Sequence, residues 1–486
     1  MKRWKHTLSH YKMVTGNMGE FLPIACVPVL PGDTFQHRTN VLVRCSPLNA
    51  PVMHPTAVRI HHFFVPNRLV WDGWEDFITG GPDGADTSQI PQVAVSDPNK
   101  SLSCYLGAAG GALGTYTINA LPVRAANKIF NEFYRDQDLV TERLEDDDTI
   151  PLVAWEKDYF TTARPWTQKG PEVVVPVGDR ADVVFDGPVG QDIGLKMDGG
   201  ATDGTINDQA TGNLPVIRSN NAPTSGEFLY ADLANAAGIS VNDFRTSFAL
   251  QRYQEARARY GSRFTEYLRY LGVRPSDARL QRPEYLGGGS ARLQFSEVLQ
   301  TANDEQDATG PRSSTGVGDM YGHGIAGAGT NRYRKFFEEH GYVITILSVR
   351  PKTLYMNATQ RDFLKRTKED FFQKELVHLG QQEIWDEELY PDDNNARGGF
   401  GFQDRYDEYR QSQSMVHGEF KNLLAPYHMG RALGTTPALN AAFVSCDPDD
   451  RIYQVGTDTA DGLWIMANHH IVARRLVPKV ARPRIL

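Results

Sequence analysis

The chain has 486 residues, 40% hydrophobic and 10% aromatic, enough for about two or three ordinary domains or one large domain with insertions. Its 51 Lys and Arg are outnumbered by 59 Asp and Glu, giving a net charge of −8, which excludes a protein that coats nucleic acid over its whole surface. No apolar run spans a bilayer, and the cationic start MKRWKHTLSHYK has no apolar core behind it, so neither a membrane anchor nor a secretory signal is expected.

The cations Lys2, Arg3 and Lys5 precede residues 17–81, where short apolar runs alternate with turns marked by Pro and Gly. From Thr56 to Pro66 the alternation has period two. Val58, Ile60, His62 and Phe64 face one way and Arg59, His61, Phe63 and Val65 the other, which predicts a strand covered on both faces. Pro66 brings no N–H to a ladder and ends it. Trp71, Trp74, Phe77 and Ile78 then follow at helical spacing until Gly80 and Gly81. A second helix is predicted over 124–134, with Ala126, Ile129, Phe130 and Phe133 on one face. Glu145 to Asp148 is an acidic run. Oxygen ligands suit calcium, which leaves a structural divalent cation open, but the spaced ligands of a calcium loop are missing and a solvated loop is the favoured reading.

Val173 to Gly178 reads as a short buried strand. Residues 179–226 are rich in Gly, Asp, Asn and Thr with little apolar periodicity, the composition of a long functional or disordered loop. Ser240 to Asp243 starts a helix, or two, whose apolar side carries Phe244, Phe248, Tyr260, Phe264, Tyr267, Leu268 and Leu271. Arg252, Arg257, Arg259 and Arg263 interleave with the tyrosines. Stacking on single-stranded bases is one reading; an amphipathic helix with its arginines at the solvent rim is the favoured one. Gly287 to Gly289 is followed by no G-K-[ST], so it reads as backbone that bends or approaches another chain closely.

Residues 301–331 read as a Gly-rich polar loop, and His340 to Pro351, apolar on both faces, as a central strand. Phe363, Phe371, Phe372, Leu376 and Trp385 are expected to anchor a mixed region. The last strands are predicted over 451–455 and 463–472. Adjacent residues on a strand face opposite sides, so neither His469 with His470 nor His61 with His62 holds one metal; structural roles are expected. Arg474 and Arg475 open a cationic C-terminus. The four scattered cysteines form no C-x-x-C pair, so buried thiols are expected rather than zinc. No G-x-S-x-G is present and no carboxylate pair stands out as acid and base, so no catalytic constellation is expected.

Several words of the sequence resemble one family. They are Asn17 to Glu20, Leu30 to Thr34, Pro51 to His54, His62 to Pro66, Ile78 to Gly81, Asp158 to Thr161 and Pro165 to Gly170. Asp277 to Gly289 is the most specific, and Phe402 to Arg410, Val416 to Phe420 and Tyr427-His428 close the series in the family's order. Together they resemble the major capsid proteins of the microviruses, small tailless single-stranded-DNA bacteriophages, in the gokushovirus-like branch.

The resemblance implies a mainly β fold, an eight-stranded antiparallel jelly roll with long loop and helical insertions, forming one domain over 1–486. It implies that 179–226 is a variable insertion projecting at the three-fold axes. It also implies about sixty copies closing into a T=1 icosahedral shell around circular single-stranded DNA, built in the bacterial host cytoplasm. The terminal cations Lys2, Arg3, Lys5, Arg474 and Arg475 are candidate nucleic-acid contacts, too few to neutralise a genome, so a separate small basic DNA-binding phage protein is expected. A host-surface receptor is the other expected partner. Arg405, Glu408, Arg410 and Glu419 are charges of the kind that fix a subunit's register against its neighbour. The alternative from another class is a carbohydrate-binding or carbohydrate-active β-sandwich, with Asp404 and Asp407 as its carboxylates.

Overall fold

The computed structural model describes residues 2–95, 97, 99–108, 116–171, 173, 241–260, 263–299, 320–391, 398–434 and 437–480, and the backbone of five short strands within 182–232. The chain divides into two compact units, one of Met1–Thr167 with Tyr260–Leu486 and one of Gln168–Arg259.

Ten strands of the larger unit join one antiparallel sheet. They are β1 (Trp4–Thr7), β2 (His10–Gly16), β3 (Leu22–Val29), β4 (Thr34–Cys45) and β5 (Thr56–Pro66), then β6 (Glu284–Leu299), β7 (Met320–Gly329), β8 (Tyr333–Phe336), β9 (Gly341–Pro351) and β10 (Leu463–Arg475). The order is β1-β10-β4-β7-β6-β5-β9-β3, with β2 beside β10 and β8 beside β4. Strand β6 turns the sheet back on itself. Its first part, to Leu293, pairs with β5, and its last part, from Gln294, pairs with β7. The result is the curled antiparallel sheet of a jelly roll, with one layer around β10 and β4 and the other around β5 and β9.

Period-two alternation fills the space between the layers. Strand β4 sends Phe35, His37, Thr39, Val41 and Val43 inward, β10 sends Leu463, Ile465, Ala467, His469 and Ile471, and β5 sends Val58, Ile60, His62 and Phe64. Each large aliphatic side chain so buried contributes roughly 1.5–3 kcal/mol. The other face of the β5–β9 layer, with Phe63, Val65, Ile344 and Ile346, is covered by the helix Leu121–Phe133 through Leu121, Ala125, Ile129 and Phe130. The His340–Pro351 reading is thereby met: β9 lies between β5 and β3 and is buried on both sides.

Two expectations are corrected. Residues 320–329, read as part of a loop, form β7, whose inward positions are Gly322, Gly324, Ala326 and Ala328. A Cβ on Gly322 would stand 2.4 Å from the Ala50 carbonyl oxygen, so the space demands small residues and hides the alternation. Residues 301–319 lie outside the described residues. Residues 451–455 make turns and a single bridge, Tyr453 to Leu48, instead of a strand.

The glycines of β6 approach other strands of the same chain. A Cβ on Gly288 would meet the Ile60 carbonyl oxygen at 2.2 Å, and one on Gly289 the Gly329 carbonyl oxygen at 2.2 Å. A register shift between Tyr285 and Gly287 bends the strand there. The acidic run is tied to neighbouring side chains of the protein, and its last residue is buried, where the sequence favours a solvated loop. Arg124 holds Asp146 at 2.6 Å, Arg143 holds Asp147 at 3.0 Å, and buried Asp148 accepts hydrogen bonds from Ser103 N and Oγ at 2.6 and 2.9 Å. The cysteines are unpaired, with Cys45 and Cys446 buried and Cys26 and Cys104 half-buried.

In the smaller unit the strands Ile193–Leu195, Gly204–Asn207 and Val216–Ser219 form one antiparallel sheet, and Asp182–Phe185 pairs with Leu229–Asp232. The rest of the expected insertion 179–226, and residues 174–178 of the strand expected over 173–178, lie outside the described residues. The helix Val241–Tyr260 follows.

Candidate assembly surface

Between β9 and β10 the chain forms a lobe with little regular structure. The hairpin Gln381–Trp385 with Gly399–Asp404 holds it together, and Tyr159, Phe160, Tyr355, Ile384, Leu389, Phe400 and Phe443 form its core. Four of the expected charges fall here, and the fold separates them. Glu408 points inward, its side chain 8% exposed, accepting from Gln382 Nε2 at 2.7 Å and lying 4.0 Å from Arg361. Arg405 is half-buried over the Tyr406 ring, and its Nε has no hydrogen-bond partner among the described residues. Arg410, 51% exposed, touches Asp407 at 3.3 Å, and Glu419 is exposed on the short helical turn Gly418–Lys421. Asp407 accepts hydrogen bonds from Arg410 and Gln411.

Four aromatics of the lobe stand bare, and three of them, Phe363, Phe371 and Phe372, are predicted from the sequence as anchors. Phe363 is 79% exposed, Phe371 52%, Phe372 56% and Tyr409 51%. Phe372 packs on Tyr406 and Tyr409, and the Lys365 ammonium sits 4.3 Å from the Tyr409 ring centre. The anchor expectation is corrected for Phe363, Phe371 and Phe372, which lie at the surface while the lobe's core is built from other rings. Trp385 is different: the Arg361 guanidinium lies 3.9 Å above its ring.

The terminal cations meet at one turn. Strand β1 pairs with the end of β10, setting Lys5 opposite Arg474, both exposed. Arg3 donates to the Gly32 carbonyl at 2.9 Å and Thr34 Oγ1 at 3.1 Å, while Arg475 donates to the buried Asp33 at 2.7 Å. Arg3 and Arg475 therefore clamp the Leu30–Thr34 turn, and Lys2, Lys5 and Arg474 remain open. No local pattern around Asp33 signals that it draws the two ends together.

Among the described residues no three His, Cys, Asp or Glu side chains are grouped to hold a metal, and no helix is long and apolar enough to cross a membrane. A curled antiparallel jelly roll with long insertions and bare surface aromatics is the architecture of a viral capsid subunit. The family model described as "Capsid protein (F protein)" matches residues 1–485, and the chain belongs to that family. It is 31% identical to "Capsid protein VP1" of Bdellovibrio phage phiMH2K, over 88% of this chain and 85% of that one. It is 29% identical to the protein of the same name from Chlamydia phage 1, over 94% and 91%, and 27% identical to that of Spiroplasma virus 4, over 99% and 95%. The chain is thus a non-enzymatic major capsid protein of the microvirus kind and a component of the virion.

Proposed function

We propose that about sixty copies of this chain close into a T=1 shell around circular single-stranded DNA, with a small basic phage protein supplying most of the neutralising charge. The observation that carries the reading is the exposure of Phe363, Phe371, Phe372 and Tyr409 on the lobe of the isolated subunit. A protein that stayed monomeric would not gain from leaving that patch in water. In this reading Arg405, Arg410 and Glu419 set the register of neighbouring subunits, and Glu408 supports them from inside. Residues 179–226 form the variable protrusion that meets the host receptor.

Negative-stain microscopy of the purified protein, alone and co-expressed with its neighbouring phage genes, tests assembly. Uniform small shells support the reading; a monodisperse monomer under both conditions overturns it. Deleting 179–226 should leave a folded subunit and abolish attachment to the host, and loss of the folded subunit would contradict the second half of the proposal.

A further inference from the structure

The two outer faces of the jelly roll differ. The helix Leu121–Phe133 covers one. Nothing among the described residues covers most of the other, formed by β2, β10, β4 and β7. There Met13 is 82% exposed, Tyr11 71%, Trp464 46% and Met466 40%. The ladder sets them in rows. Met13, Met466 and Leu42 lie side by side across three strands, and Thr15, Trp464, Arg44 and Ile325 across four. Between them runs an open groove of about 620 Å³, lined by Met13, Leu42, Arg44, Tyr105 and Trp464, with Lys12 at its wall. A volume in this range accommodates a nucleotide-sized ligand.

Charge says what kind. The chain carries 59 Asp and Glu among 486 residues, yet β1, β2, β4, β7 and β10 contain none. Their outward positions carry Lys5, Arg38, Arg44 and Arg474, with Asn40 and Asn468 between. Acid is met only at the margin, where Asp461 accepts from Thr15 Oγ1 at 2.5 Å and Glu297 stands on the adjoining β6; strands with spaced cations, amides and bare aromatics combine phosphate contact with platforms for unpaired bases. A second copy of the same face would bring cations without carboxylates to meet them, because these strands carry no Asp or Glu.

We infer that the β2–β10–β4–β7 face is where the enclosed single-stranded DNA lies, its bases on Tyr11, Trp464 and the methionines and its phosphates on Arg38, Arg44, Arg474 and Lys5. This rests on the reading of the shell as a DNA container and assigns its inner wall. Glycines along β7, such as Gly327, where a Cβ would meet no atom within 4 Å, leave the strand flat for a chain to cross.

Two measurements test it. DNA-filled particles carrying 5-bromodeoxyuridine are irradiated and the adducts mapped; adducts on Tyr11 and Trp464 support the assignment, and adducts confined to the helix Val241–Tyr260 or to 179–226 overturn it. Unassembled full-length subunit is also titrated with a labelled dT20 oligonucleotide. Trp464→Ala should weaken binding roughly 5- to 150-fold, and Arg44→Gln should lower the slope of log K against log salt by about 0.7. Unchanged affinity in both variants overturns the assignment, as does intact affinity with lost shell closure, which would give the face to a neighbouring subunit. Wild-type shells that exclude DNA would instead remove the container reading, and this inference with it.

Discussion

Between the two layers of the sandwich a row of buried histidines and threonines is joined by hydrogen bonds, whereas the lobe between β9 and β10 is held at its centre by a buried carboxyl against a guanidinium. His37, His62 and His469 have no exposed surface, and the His37 and His62 rings face each other across the layers with centres 4.5 Å apart. Their bonds run in one direction, fixed at its end by a carbonyl that can only accept. His469 Nε2 donates to the Ile24 carbonyl at 3.1 Å, so its Nδ1 accepts from Thr39 Oγ1 at 2.9 Å. Thr39 then accepts from His37 Nε2 at 3.0 Å, and His37 Nδ1 accepts from the Tyr333 hydroxyl at 3.1 Å. In the lobe, Glu388 is fully buried against Arg361 at 2.7 Å and accepts from the Tyr159 hydroxyl at 2.8 Å. The sheet ladder already fixes the strands, so neutral bonds suffice there; the lobe has short elements only, and a charged pair with directional bonds fixes them. The first arrangement fails when a proton is added, the second when a partner is removed.

Acid should give the largest effect. Burial holds His37 down to about 2, and His62 and His469 to about 3, with neighbouring imidazoles adding to the shift. An unfolded histidine takes up its proton near pH 6.5, so below that pH the unfolded chain binds more protons and stability falls until the folded values are reached. Above pH 6.5 these groups give no slope. Three such groups together cost up to about 4 kcal/mol per pH unit. Urea unfolding of the subunit between pH 7.5 and 5 measures it. A flat profile would mean that the imidazoles are not held neutral.

The lobe should respond to a deletion instead. Arg361→Met leaves the Glu388 carboxylate buried without its cation and should cost about 3–5 kcal/mol in urea unfolding. Burial already pushes the Glu388 carboxyl up, against the opposing pull of Arg361. The double variant Arg361→Met with Glu388→Leu should recover much of the loss, because no buried charge is then stranded. No recovery would show that the pair does more than satisfy itself.

Strands whose inward residues are large are legible from spacing: β5 and β9 follow from Val58, Ile60 and Val343, Ile344 alone. Strand β7 is not, because glycine and alanine carry no hydropathy contrast, although their positions alternate as strictly as those of β4. The interior direction of Glu408 is also invisible, since a charge in sequence does not say which way it points. The buried histidines do carry a signal: His37 falls in phase with Phe35, Val41 and Val43, as His62 does with Ile60 and Phe64. Partnership across strands far apart in sequence, such as Thr39 with His469, exists only once the register is set. The close approach at Gly289 can be checked directly. Gly289→Ala presses a Cβ onto backbone that no rotamer change can move, and a loss of about 1–3 kcal/mol is expected.

The smallest stability effect separates folding from assembly. Glu419 is exposed, and its backbone carbonyl rather than its carboxylate holds the local turn, accepting from Asn422 and Leu424 at 3.0 Å each. Removing the carboxylate in Glu419→Ala strands no buried partner, so unfolding should shift by less than about 0.5 kcal/mol. Arg410→Ala removes one solvent-screened contact to Asp407 and should cost less than about 1 kcal/mol. If these charges fix neighbouring subunits, both variants should lower the yield of closed shells while the urea midpoint stays in place. Equal loss of both would make them ordinary contributors to the fold, and normal yield from both would remove them from the interface.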